Sequence, residues 1–140
     1  MKNILITGIS GQDGVFLTSE ILKNNPTHNI YGITRQKNKE VFFGKLNTIS
    51  SPDNQKVKLL NIDLNNLHET SKLIEDIRPD CVYNLSGPSS VYDSFINPHK
   101  TKSQINNIFE NLTNPLIKLG LFSNFYQASS SEMFGLHTEE

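Results

Sequence analysis

The chain has 140 residues, enough for one domain of ordinary size with a real core. A formal net charge of -1 gives no basic surface for nucleic acid or an anionic membrane. The single cysteine, Cys81, excludes an internal disulfide and fits a reducing compartment, and no apolar run approaches membrane-spanning length. With no signal peptide ahead of the first strand, a cytoplasmic protein is expected.

Ile4, Leu5 and Ile6 make an apolar run of strand length. Glycines follow at Gly8, Gly11 and Gly14, and Val15, Phe16, Leu17, Ile21 and Leu22 then continue as a helix. That helix is predicted over 12–24, stopping before Asn25-Pro26 because proline restricts the residue ahead of it. A strand, a glycine turn and a helix form a phosphate cradle. The turn needs a residue without Cβ, the backbone must approach a pyrophosphate, and the helix N-terminus offers free N–H groups. The spacing is Gly-x-x-Gly-x-x-Gly, one residue longer between the first two glycines than Gly-x-Gly-x-x-Gly. A tight βα turn with no ligand is the bland alternative. The junction's place at the head of an alternating chain favours the cradle.

The second strand is predicted over 29–34. Residues 35–55 are polar, rich in Lys, Asn and Ser, interrupted by Val41, Phe42 and Phe43, and read as a long loop with one helical turn. A third strand is expected over 56–62 and a helix over 67–77, with Asn65 or Asn66 as N-cap and Pro79 closing it. The fourth strand is expected over 81–85. A long helix follows from Pro98, carrying Ile105, Ile108, Phe109, Leu112, Leu116 and Ile117 at helical spacing. Pro115 should kink or bound it, and Gly120 is its expected C-cap. A fifth strand over 121–128 leads into Ser129-Ser-Ser-Glu-Met-Phe-Gly135.

Strands joined by helices call for an α/β fold, a Rossmann-like doubly wound parallel sheet with right-handed crossovers. Ligands of such sheets sit at the carboxyl ends of the strands, and here all five ends are polar or glycine-rich. Cofactor choice is legible at the end of the second strand. A carboxylate there would bind the ribose 2′-hydroxyl of NAD, whereas an arginine can pair with the 2′-phosphate of NADP. Thr34-Arg35-Gln36-Lys37 offers no carboxylate before Glu40, so NADP is favoured, with Arg35 as its fork and Lys37 in support. A solvated basic loop is the alternative. His28, His68, His99 and His137 have no metal spacing, so no metal site is expected. Cys81 reads as a core thiol.

Thr7-Gly-Ile-Ser-Gly-Gln-Asp-Gly14, Asp63-Leu64, Tyr83-Asn-Leu85 and Gln127-Ala-Ser-Ser-Ser-Glu-Met-Phe-Gly135 resemble the extended short-chain dehydrogenase/reductase superfamily. Within it they are most similar to the GDP-mannose 4,6-dehydratases. The discriminating features are the Gly-Gln-Asp-Gly form of the turn and the Gln-Ala-Ser-x-Ser-Glu-x-x-Gly form after the fifth strand. The resemblance runs over the whole chain, which covers less than half of such an enzyme.

What the resemblance implies is specific. A nucleotide-linked hexose is oxidised at C4 by hydride transfer to a nicotinamide, loses water across C5 and C6, and regains the hydride at C6. Such chemistry needs a hydroxyl on the C4 oxygen and a carboxylate to move protons. By position, Ser130 matches the hydroxyl residue and Glu132 the acid/base. Gly8, Ser10, Gly11, Gln12, Asp13 and Gly14 would cradle the NADP pyrophosphate, with Arg35 on the 2′-phosphate. Asp63 and Leu64 match the position that holds the adenine amino group, although Asp63 could simply begin the turn into the next helix. Leu85, Ser86, Gly87 and Ser89 would let the backbone pass the pyrophosphate and ribose. Ser86-Gly-Pro-Ser-Ser-Val91 departs from the family's Gly-Ala-Gln-Ser-His-Val, with Pro88 and Ser90 where glutamine and histidine are usual.

The superfamily's Tyr-x-x-x-Lys pair does not occur within the 140 residues. The chain is therefore expected to be the NAD(P)-binding Rossmann-like part, residues 1–140, of a longer enzyme whose substrate domain lies elsewhere, and inactive by itself. Two other readings stay open: an epimerase or reductase of the same superfamily, or a non-catalytic NADP-binding module. A nucleotide-sugar substrate and a homo-oligomer (dimer or tetramer) follow from the resemblance, with residues 35–51 as the self-association segment.

Overall fold

The computed structural model describes residues 1–35, 39–49, 54–88 and 90–130. Five strands alternate with helices: β1 (Asn3–Thr7), α1 (Gln12–Asn24), β2 (Asn29–Ile33), α2 (Lys39–Ile49), β3 (Val57–Leu60), α3 (Leu67–Ile77), β4 (Cys81–Asn84), α4 (Val91–Ile96), α5 (Pro98–Lys118) and β5 (Asn124–Gln127). All neighbouring strands run parallel, in the order β3-β2-β1-β4-β5. This is the doubly wound sheet that the strand–helix alternation requires.

Helices cover both faces, so the central strand must be apolar on both sides. In β1, Ile4 and Ile6 join one core with Val15, Ile21 and Leu22 of α1 and with Phe42 and Leu46 of α2. Leu5, pointing the other way, joins Leu73, Ile74 and Ile77 of α3 and Ile108, Leu112 and Leu116 of α5. Period-2 alternation along the strand thus feeds two separate cores.

Helices α1 and α3 fall where the spacing puts them. Asn66, not Asn65, caps α3: its side chain accepts from the main-chain N–H of His68 and Glu69. Glu69 returns the contact by accepting from Asn66 Nδ2 at 3.0 Å, which closes the helix start reciprocally. Helix α5 runs through Pro115 to Lys118. It ends with Gly120 at φ +63°, whose N–H reaches Ile117 O while Leu121 N reaches Leu116 O. Those paired bonds are the glycine stop that satisfies the last carbonyls, with the glycine one position beyond the cap residue Leu119.

Two expectations need correction. Residues 39–49 of the expected loop form α2, because Phe42 and Leu46, one turn apart, are both buried against α1 and the sheet. Tertiary burial there overrides a polar composition. A short helix, α4, also precedes α5; Ser90 Oγ caps it by accepting from Asp93 N at 3.1 Å. None of its residues is buried, so it carries no apolar periodicity to announce it. Strands β2 to β5 are each one to four residues shorter than expected, trimmed at the ends where pairing stops.

Candidate functional site

The carboxyl ends of β1, β2, β3 and β4 surround a cavity of about 520 Å³. Its floor is the turn between β1 and α1. Gly8 holds φ +68°, and a Cβ on it would lie 2.8 Å from Leu85 O in the loop after β4. Only glycine combines that conformation with that approach. Gly11 N donates to Gly8 O at 3.0 Å, and Val15 N then returns to Gly11 O, so the turn passes directly into α1. The N–H groups of the first helical turn lack intrahelical acceptors and are the natural seat of an anion.

Of the sequence-derived candidates, Gly8, Ser10, Gly11, Arg35, Asp63, Leu64, Leu85, Ser86 and Gly87 are brought together around this cavity. Gln12 and Asp13 stand exposed in the first turn of α1, outside the lining, and Gly14 is buried beneath it. Ser130 is exposed three residues beyond β5. Lys37, Ser89 and Glu132 lie outside the described residues.

The polar groups around the cavity are held by specific bonds. Ser10 Oγ and Thr34 Oγ1 are 2.8 Å apart, which ties the glycine turn to the end of β2. Asp63 Oδ1 accepts from Asn65 N at 3.0 Å and from Asn65 Nδ2 at 2.9 Å, so Asp63 does begin the turn into α3. These bonds from Asn65 hold its carboxyl below the usual carboxylate range, partly opposed by desolvation, and the nearby Arg35 guanidinium adds a smaller lowering. The two sequence-derived ends, Arg35 after β2 and Asp63 after β3, therefore share one electrostatic neighbourhood.

Thr34, Asn65 and Gln104 also line the cavity, and the sequence reading did not name them as site residues. Gln104 lies one turn before Ile108 on α5, and both face the site. Its i to i+4 spacing from Ile108 puts it in phase with the apolar stripe, but that phase alone does not separate it from an ordinary surface amide. Asn111 on the same helix donates from Nδ2 to Leu64 O at 2.9 Å and anchors the loop after β3 to α5.

Beneath the site a side-chain ladder crosses three strands. Thr7 Oγ1 donates to Asn84 Oδ1, and Asn84 Nδ2 donates to Gln127 Oε1 at 2.7 Å. Thr7 and Asn84 are fully buried, and burying such polar groups is tolerable only because they are paired. Among the described residues, no group of three His, Cys, Asp or Glu side chains could hold a metal ion. No described helix is long and apolar enough to cross a membrane.

GDP-mannose 4,6 dehydratase 1 of Arabidopsis thaliana is 34% identical over 96% of this chain and 38% of its own length. GDP-mannose 4,6-dehydratase of Vibrio cholerae is 32% identical over 99% of this chain and 38% of its own length. The chain thus spans well under half the length of these relatives. Among solved structures, UDP-glucose-4-epimerase from Stenotrophomonas maltophila, with bound NAD and formylated UDP-arabinopyranose, superposes with a TM-score of 0.78 at 17% identity. It covers 99% of this chain and 40% of its own, and shows the fold. The sequence model of the family described as GDP-mannose 4,6 dehydratase matches residues 5–140, and the chain belongs to that family.

Proposed function

We propose that the chain is the cofactor-binding part of a nucleotide-sugar 4,6-dehydratase that takes GDP-mannose to GDP-4-keto-6-deoxymannose plus water. The supporting observation is the cavity itself. A bare Gly8 Cα lies against Leu85, the N-terminus of α1 opens beside it, and Arg35 and Asp63 stand together at the ends of β2 and β3. A dinucleotide needs this set: a close main-chain approach for pyrophosphate, and charged groups at its adenosine end.

The residues fit NADP. The bound dinucleotide would supply the hydride acceptor and donor of an internal oxidation and reduction. Gly8, Ser10 and Gly11 of the turn, with Gln12, Asp13 and Gly14 of the first turn of α1, would approach the pyrophosphate. Arg35 pairs with the 2′-phosphate, and no carboxylate at the end of β2 competes for that place. Asp63 accepts the adenine amino group while keeping its turn bonds to Asn65, with Leu64 packing on the base. Leu85, Ser86, Gly87 and Ser89 border the pyrophosphate and ribose. Ser130 holds the sugar C4 oxygen, and Glu132 moves protons at C5 and C6. We place the protein in the cytoplasm, as a homo-oligomer joined in part through residues 35–51, acting together with a substrate domain outside this sequence.

Calorimetric titration of the 140-residue chain with NADPH and, separately, NADH tests the reading. A preference for NADPH of about tenfold or more, lost in Arg35→Ala, is expected, since a charge-assisted pair contributes about 1.5–3 kcal/mol. Equal binding of both would sink the Arg35 assignment. Binding of neither would sink the claim that this cavity alone holds the dinucleotide.

A further inference from the structure

We propose that the carboxamide pair Asn84–Gln127 is a positioning device, fixing the Ser86 main chain in the cofactor cradle from the end of the strand that leads to Ser130. Its link to the cradle rests on the dinucleotide reading above.

The orientation of the ladder follows from donors and acceptors alone. Ala128 O can only accept, so Gln127 must turn Nε2 toward it, at 2.8 Å. Gln127 Oε1 then faces Asn84, which must answer with Nδ2, at 2.7 Å. Asn84 Oδ1 is thereby aimed at β1, where it accepts from Thr7 Oγ1 and, at 3.3 Å, from Ser86 N. With its proton spent on Asn84, the Thr7 hydroxyl keeps lone pairs for the same N–H, and Ser86 N reaches it at 3.2 Å. A carboxamide flip at either residue would set donor against donor or acceptor against acceptor along the row.

Two main-chain groups thus terminate one chain of side-chain bonds: Ala128 C=O after β5 and Ser86 N–H after β4. Ser86 lines the cavity, and Thr7 immediately precedes Gly8. The Ser86 N–H points into the strand layer and is spent there, which leaves the Ser86 hydroxyl and the Gly87 main chain among the groups this loop can offer a ligand. Gln127 is exposed while Asn84 is 1% exposed, so the row is set from its accessible end.

The test uses Gln127→Leu and Gln127→Glu in the 140-residue chain. The leucine removes both bonds; the glutamate can still accept from Asn84 but opposes Ala128 O. Amide hydrogen exchange of Ser86, referenced to Ile6 on β1, should quicken at least tenfold in Gln127→Leu, and less in Gln127→Glu. NADPH affinity should fall about three- to tenfold in the same order. Unchanged Ser86 exchange relative to Ile6 overturns the positioning. Quickened exchange with unaltered NADPH affinity overturns its link to the cradle. A parent chain that binds no dinucleotide counts against the dinucleotide reading and leaves the exchange comparison to judge the ladder.

Discussion

Gly14 of α1 lies directly on the main chain of Ile9: a Cβ at position 14 would come within 2.4 Å of Ile9 O. This contact seats the helix on the turn, and through the turn it sets where the first-turn N–H groups face. Gly14→Ala cannot be absorbed by a side-chain movement, because the obstacle is backbone. Urea unfolding should show a loss of about 3 kcal/mol or more, in the range of severe overpacking. Gly44 of α2 is the control, since a Cβ there meets nothing within 4 Å. Gly44→Ala should leave stability intact or raise it by about 0.5–1 kcal/mol, because alanine has the better helix propensity. A harmless Gly14→Ala would mean that α1 does not seat as described.

Phe42 anchors α2 and is 1% exposed, meeting Phe43 edge-on with ring centroids 5.3 Å apart. Phe42→Ala should destabilise the chain by about 3–5 kcal/mol, the usual cost of emptying an aromatic site. Val41 is 40% exposed, so Val41→Ala should cost well under about 1 kcal/mol. If thermal unfolding separated these two variants by little, residues 39–49 would not pack on the core.

Asn66→Ala removes the cap of α3 along with its contact to Glu69. A loss of about 1 kcal/mol is expected in chemical denaturation. Asn65→Ala leaves that cap in place and removes only the side-chain one of the two bonds that residue 65 gives Asp63, the main-chain bond staying, so the two neighbours should differ in kind. Only Asn65→Ala should move the Asp63 titration, followed by NMR.

The Asp63 carboxyl has a folded-state pKa below its unfolded value, chiefly because Asn65 donates to it twice. A depressed carboxylate contributes stability that is complete above its unfolded pKa of about 3.9 and is lost as pH falls through the lower folded value. Asp63→Asn should therefore lower stability at neutral pH and flatten the acid limb below about pH 4, the two profiles converging once Asp63 is protonated. The group is exposed, so the effect should stay under about 1 kcal/mol. An acid limb identical in the variant would show that Asp63 is not held by Asn65.

Legibility in the sequence followed locality. The glycine turn, the bounds of α1 and α3, and the polar strand ends could be read because each depends on neighbours within a few residues. Asp63 shows the boundary of such reading. Both of its sequence-level roles were plausible; its turn bonds are observed, and the adenine contact remains compatible with them. Helix α2 was misread because its evidence, Phe42 and Leu46 one turn apart, gains meaning only when α1 and the sheet cover those side chains. Gln104 escaped because one amide in the polar stretch Lys102-Ser-Gln-Ile-Asn-Asn107 looks like an ordinary surface residue until α5 is laid across the cavity.

The sequence by itself determined the alternation of elements, the glycine turn and the charge at the end of β2, since these arise from backbone sterics, periodicity and residue chemistry along a short stretch. Only the tertiary structure decided which strand ends meet, that Asn84 joins Thr7 to Gln127, and that Arg35 and Asp63 share a cavity. Residues 7, 84 and 127 are far apart in the chain, and it is the strand register Thr7↔Asn84↔Gln127 that brings them within hydrogen-bonding reach.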